Sequence, residues 1–179
     1  MTLTLLIGKM ITSYDDFLDS GLKVSDEIPS SYVKRALKDV ELNIVAPRLG
    51  GELYGAVEAN EGHDYDTYID GGTVTVEEHD DRGPCGACET VQKTYVLAGL
   101  KDAITHLAWA LLAQRDMVAT VYGTVVKNDE YSENVKNDEL RRAVTVELEM
   151  GMYQLNLVAH CLGAEGTDGD YNIFGSEWL

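Results

Sequence analysis

The spacing in this chain that most resembles a chemical site is Cys85-Gly-Ala-Cys88. Two thiols three positions apart on a turn can present both sulfurs to one zinc ion, or cycle between dithiol and disulfide. A structural zinc takes four ligands, so the other two would come from His63, His79, His160 or Cys161. No second Cys-x-x-Cys and no closely spaced histidine pair follows, and Gly83, Pro84 and Gly86 make the motif a turn, not the start of a helix in a βαβ unit. Cys85 and Cys88 are therefore the candidate metal ligands, weighed against thiols on a structural turn, which the missing partners favour. Three cysteines are an odd set and make a disulfide framework a poor expectation.

Other reactive residue types lack companions. His106 stands beside an apolar helical stripe with no nucleophile placed near it, and reads as a structural histidine. The pairs Asp15 and Asp16, Glu77 and Glu78, and Asp80 and Asp81 are adjacent in sequence, so on a helix or strand their side chains diverge and read as solvated faces. A phosphate loop ending in Lys, a Gly-x-Ser-x-Gly and a His-Glu-x-x-His are all missing from the sequence. The expectation is a protein that is not an enzyme and needs no cofactor.

The elements that would position these residues belong to a chain of 179 residues, the size of one domain. Hydrophobic residues at 45% and charged residues at 25% predict a folded core. Fourteen Lys and Arg against 31 Asp and Glu leave a net charge of −17, which opposes sequence-independent DNA binding because phosphate is gripped by cations. No run approaches the ~20 apolar residues that cross a bilayer, and MTLTLLIGKM is too short for a secretory signal. An intracellular product, or one assembled inside a cell and not in a membrane, is expected.

Periodicity places the elements. Thr12 or Ser13 before acidic residues predicts a short helix over 14–19, stopped by Gly21. Val33, Ala36, Leu37, Val40 and Ile44 recur at helical spacing, with Pro29 at the start and Pro47 ending the run. A further helix from Pro47 would bury Leu49, Leu53 and Val57, and its Gly50, Gly51 and Gly55 make sense where another backbone comes close. TVTVEE and ETVQKTYV alternate β-formers about the CxxC turn and predict a β-hairpin inserted at about 60–94.

Leu97, Leu100, Ile104, Leu107, Ala108 and Leu111 then form the stripe of a long helix, with Lys101, Asp102 and Thr105 opposite. The last helix runs from about Asn137 to Leu162, with Asp138 as cap, a stripe of Val144, Leu148, Leu155 and Val158, and Gly163 as stop. The fold class is mainly α: a bundle of about four helices over 1–163 with an inserted β-hairpin, followed by an acidic tail over 164–179. Phe174, Trp178 and Leu179 make the tail's end suited to docking on a partner. This organisation also fits an acidic interaction module whose CxxC hairpin is structural or binds zinc.

Three stretches carry a family resemblance: KDVELNIVAPRLGGELY, with its core from Val40 to Tyr54; YVLAGLKDAITHLAWA, with Gly99 to Lys101 opening a helix; and YGTVVKNDEYSE, within Thr120 to Lys127 and beyond. Together they resemble the head-to-tail connector (neck adaptor, or ring) proteins of tailed bacteriophages, especially those of crAss-like phages. The resemblance spans about residues 10–163. It implies a structural virion protein in the neck at the portal vertex, assembled in the host cytoplasm. Such a protein is a homo-oligomer, a twelve-fold ring that meets the portal protein and other neck or tail proteins. Genomic DNA passes its lumen without specific binding.

On that expectation, the polar segment from Tyr122 to Val135 becomes an extended intersubunit arm, with Tyr122, Val125, Val126, Lys127 and Tyr131 as contact residues. Twelve copies of a −17 chain total roughly −200 charges, which would keep DNA from adhering to the ring's inner wall.

Overall fold

The structure, a computed structural model, describes residues 10–22, 28–80, 89–114 and 134–164. It is mostly helical, a helical bundle with one inserted two-stranded antiparallel hairpin.

Helix α1, Tyr14–Asp19, starts where Ser13 Oγ accepts the Asp16 N–H at 3.1 Å while the Asp16 carboxylate accepts the Ser13 N–H at 2.8 Å. This reciprocal cap satisfies two donors that a helix start leaves open. The helix buries Phe17 completely.

Helix α2, Ser30–Val40, buries Val33, Ala36, Leu37 and Val40, as its spacing predicts. Pro47 does not end the run. The chain continues through a π turn, Glu41–Val45, into α3, Ala46–Leu49, with Pro47 inside it. The Ala46 N–H reaches back five residues to the Glu41 carbonyl, and this wider turn opens the backbone just where the proline ring would crowd the preceding turn. The inserted residue also turns Glu41, Ile44, Val45 and Leu49 inward and leaves Leu42 exposed.

The break falls at Gly50, φ +82, and α4 spans Gly51–Ala59. Leu49 and Val57 are buried and Leu53 packs against the core, as expected. The expectation that Gly50, Gly51 and Gly55 mark a close backbone is corrected: among the described residues a Cβ on any of them would meet nothing within 4 Å. Gly50 serves the turn, and the close approaches lie elsewhere.

A 3-10 turn, Glu61–His63, and helix α5, Asp66–Asp70, occupy the stretch expected to begin the hairpin. Asn60 holds them, its Oδ1 accepting the Tyr65 N–H at 3.0 Å and its Nδ2 donating to Asp66 at 2.7 Å. The hairpin is therefore shorter and later than expected: β1, Gly72–Asp80, pairs with β2, Glu89–Leu97. Its two ends are pinned at Gly71 and Gly99, where a Cβ on Gly99 would lie 2.5 Å from the Ile69 carbonyl oxygen and 2.6 Å from the Gly71 nitrogen.

Helix α6, Leu100–Gln114, packs against both α2 and α7, Asn134–Cys161. Leu100, Ala103, Ile104, Leu107 and the whole run from Ala108 to Ala113 are buried, so α6 is apolar nearly all round and forms the centre of the core. The expected polar face is corrected at Thr105, which is buried; its hydroxyl donates to the Lys101 carbonyl at 2.6 Å. Helix α7 lays Val144, Leu148, Gly151, Leu155 and Val158 toward this core and begins before the expected Asn137.

Candidate subunit-contact surfaces

The sequence-derived contact and metal candidates are not among the residues whose structure is described. Cys85 and Cys88, the arm residues Tyr122, Val125, Val126, Lys127 and Tyr131, and the tail residues Phe174, Trp178 and Leu179 all lie outside the described residues. Of the further ligand candidates, His63 sits in the 3-10 turn beside Asp66 at 3.2 Å, His160 near the end of α7 bonds Glu78, and Cys161 is buried. Among the described residues no group of three or more His, Cys, Asp or Glu stands together to hold a metal ion.

Several large apolar side chains are exposed, among them Val91 and Val96 on β2. On α7, Val146, Met150 and Tyr153 follow at helical spacing on the face turned away from the α6 contact, with Tyr153 63% exposed. Their spacing is a second apolar period in the sequence, overshadowed by the core stripe of the same helix. Leu18 on α1, Tyr32 on α2 and Leu42 on the π turn are each about half exposed. Lys34, Arg35 and Lys38 are exposed on α2, a local concentration of base on a strongly acidic chain. Lys34 lies over the Tyr14 ring at 5.7 Å, and Arg35 pairs with Asp39.

Four polar groups hold the hairpin to the body. Glu78 accepts from Lys93 and the Tyr95 hydroxyl across the hairpin and stands 2.9 Å from His160 Nε2. The Lys93 ammonium, with the tyrosine and histidine bonds, holds the Glu78 carboxyl down at about 2. Tyr95 and His160 also meet edge to face at 5.7 Å between ring centres. Glu78 and His160 are 82 positions apart, so no local pattern pairs them.

Two further charged groups stiffen the body. His106, on α6, bonds Glu147 of α7 through Nδ1 and lies 3.5 Å from Asp102 through Nε2. Asp102 and Glu147 raise the imidazole above its ordinary value against the opposing effect of burial. Glu41, fully buried, accepts the Thr12 N–H at 2.8 Å and the Ile11 N–H at 3.2 Å. Burial raises its carboxyl despite these bonds. Sequence reasoning missed Glu41, although an acid one turn beyond Leu37 on an apolar face was a readable signal.

Lys101 joins three elements, bridging Asp70 at 2.8 Å and Asp16 at 3.1 Å. The arrangement as a whole is a braced body with exposed apolar side chains. Among the described residues no helix is long and apolar enough to cross a membrane. No protein-family model, curated protein or solved structure matches this chain.

Proposed function

We propose that this chain is a structural subunit of a ring in the neck of a tailed phage, joining the portal to the tail and lining the DNA passage without catalysing a reaction. The observation that carries this reading is exposed apolar side chains on different parts of one body, the row Val146, Met150 and Tyr153 on α7 and, away from it in sequence, Leu18 on α1, Tyr32 on α2 and Leu42 on the π turn. A head-to-tail ring needs two different surfaces on one body, each meeting the other on the next copy.

Two further features support it. The resembling stretches Val40–Tyr54 and Gly99–Lys101 lie on α2 to α4 and at the start of α6, and α2 packs directly on α6. A net charge of −17 suits a wall along which DNA passes without adhering. A twelve-fold closed ring of these braced bodies, seated at the portal vertex of the virion, is the assembly we infer.

Electron microscopy of the purified protein, alone and mixed with the cognate portal, tests the reading. Closed rings, or a collar on the portal, are expected. A chain that stays monomeric and leaves the portal bare refutes it.

A further inference from the structure

The hairpin carries an interaction surface that its own body leaves unused. Its nine residue pairs run unbroken from Gly72 opposite Leu97 to Asp80 opposite Glu89. At about 3.4 Å per residue each strand extends on the order of 30 Å. Among the described residues neither outer edge forms a backbone hydrogen bond to any other segment.

Natural sheets blunt open edges with proline, exposed lysine, bulges or very short strands. Only one of these is present, an exposed lysine. Neither strand contains proline, the register has no bulge, and the one lysine, Lys93, is tied to Glu78 across the hairpin. A long, lightly defended edge is a template for another strand.

Charge selects which strand. Beyond the midpoint of the hairpin β1 carries Glu77 and Glu78, whereas the residues facing them on β2 are Gln92 and Val91, with Lys93 next to them opposite Val76. In full antiparallel overlap two β1 edges would bring Glu77 diagonal to Glu77 of the other copy, and two β2 edges would set Lys93 opposite Lys93. The β2 edge of one copy against the β1 edge of the next sets Lys93 and Gln92 beside Glu77 and Glu78. It also continues the antiparallel alternation of strands.

We propose that the partner of the hairpin is a second copy of this chain, the outer edge of β2 pairing antiparallel with the outer edge of β1 in the next copy. Such unlike-edge pairing is head to tail by construction, and repeated around a closed ring it leaves no open edge. Closure rests on the ring reading above; the pairing of unlike edges does not.

The outer face of the joined strands would repeat Thr73, Thr75, Glu77, Gln92, Thr94 and Val96, all exposed, with Thr75 and Thr94 hydroxyls 3.1 Å apart. Of these six residues only Glu77 is charged.

Short bifunctional maleimide cross-linking tests the pairing in full-length protein with Cys85, Cys88 and Cys161 replaced by serine or alanine. One chain carries Glu77→Cys and a differently tagged chain Gln92→Cys, both at exposed sites. Light scattering first gives the oligomeric state.

Cross-linked pairs several-fold more abundant in the mixture than in either variant alone are expected, with a repeat using Thr75→Cys and Thr94→Cys giving the same order. Oligomers without such an excess in either pair, or with like-edge cross-links as abundant, overturn the pairing and leave the ring reading standing. A chain monomeric at every concentration overturns both.

Discussion

Replacing Gly151 by alanine should loosen the contact between the two longest helices. A Cβ at Gly151 would lie 2.7 Å from Leu107 Cγ and 3.0 Å from the Ala103 carbonyl oxygen. Carbon atoms normally rest about 3.5–4.0 Å apart, so α7 must back away from α6 or Leu107 must leave its rotamer. Overpacking of this kind costs ~1–3 kcal/mol, while alanine in place of glycine inside a helix returns up to ~1 kcal/mol. The net is a loss of about 1 kcal/mol.

Gly55→Ala is the control. Gly55 is also inside a helix, α4, but among the described residues its Cβ would meet nothing within 4 Å, so the propensity gain of up to ~1 kcal/mol remains. The two variants should differ by ~2 kcal/mol in opposite directions, which at a urea slope of ~1–3 kcal/mol/M separates their midpoints by on the order of 1 M. Urea titration followed by far-ultraviolet circular dichroism measures this. A Gly151→Ala midpoint equal to or above that of Gly55→Ala would refute the close packing of α6 on α7.

Other consequences are equally specific. Glu41→Ala leaves the buried Ile11 and Thr12 N–H groups without their acceptor and should lower stability by ~1–3 kcal/mol for each orphaned donor. Glu41→Gln should recover only part of that loss in the same urea titration, because its one amide oxygen can replace Oε1 at the Thr12 N–H while its NH2 group then faces the Ile11 N–H. His106 has a raised folded-state pKa, so its contribution is whole below the ordinary value of 6.5 and is lost as pH rises through the raised value. Thermal melts of His106→Gln should accordingly show a flatter dependence than the parent from about pH 6 upward. Metal analysis of the purified protein should find no stoichiometric zinc, and Cys85→Ser with Cys88→Ser should assemble like the parent. Bound zinc would instead favour the interaction-module reading.

The parts of the fold legible in the sequence are those governed by local rules. Ser13 and Asp16 mark α1, the 33–36–37–40 spacing marks α2, and the β-branched alternation marks the hairpin. Pro47 misled because a π turn, which depends on one extra residue rather than on a residue type, let the helix pass through it. Thr105 looked polar by type, but a threonine that bonds its own helix backbone can be buried. Gly151 was unreadable as a contact because its meaning lies in Leu107 and Ala103 on another helix. The pairing of Glu78 with His160 was hidden for the same reason.

Charge and surface together restrict how such a body can meet a copy of itself. Two chains of −17 repel, so a stable contact must come from groups that are not acidic, or must set base against acid. Among the described residues the uncharged groups on offer include the apolar row of α7, the exposed Leu18, Tyr32 and Leu42, and the backbone edges of the hairpin; Lys34, Arg35 and Lys38 concentrate base on α2. All of these are fixed on elements braced to the core, α7 through the His106 and Glu147 bond and the hairpin through Glu78 and His160. Adhesive groups fixed on a rigid body that is acidic overall would favour one geometry of self-association over indiscriminate clumping. That restriction is what a ring needs in order to close.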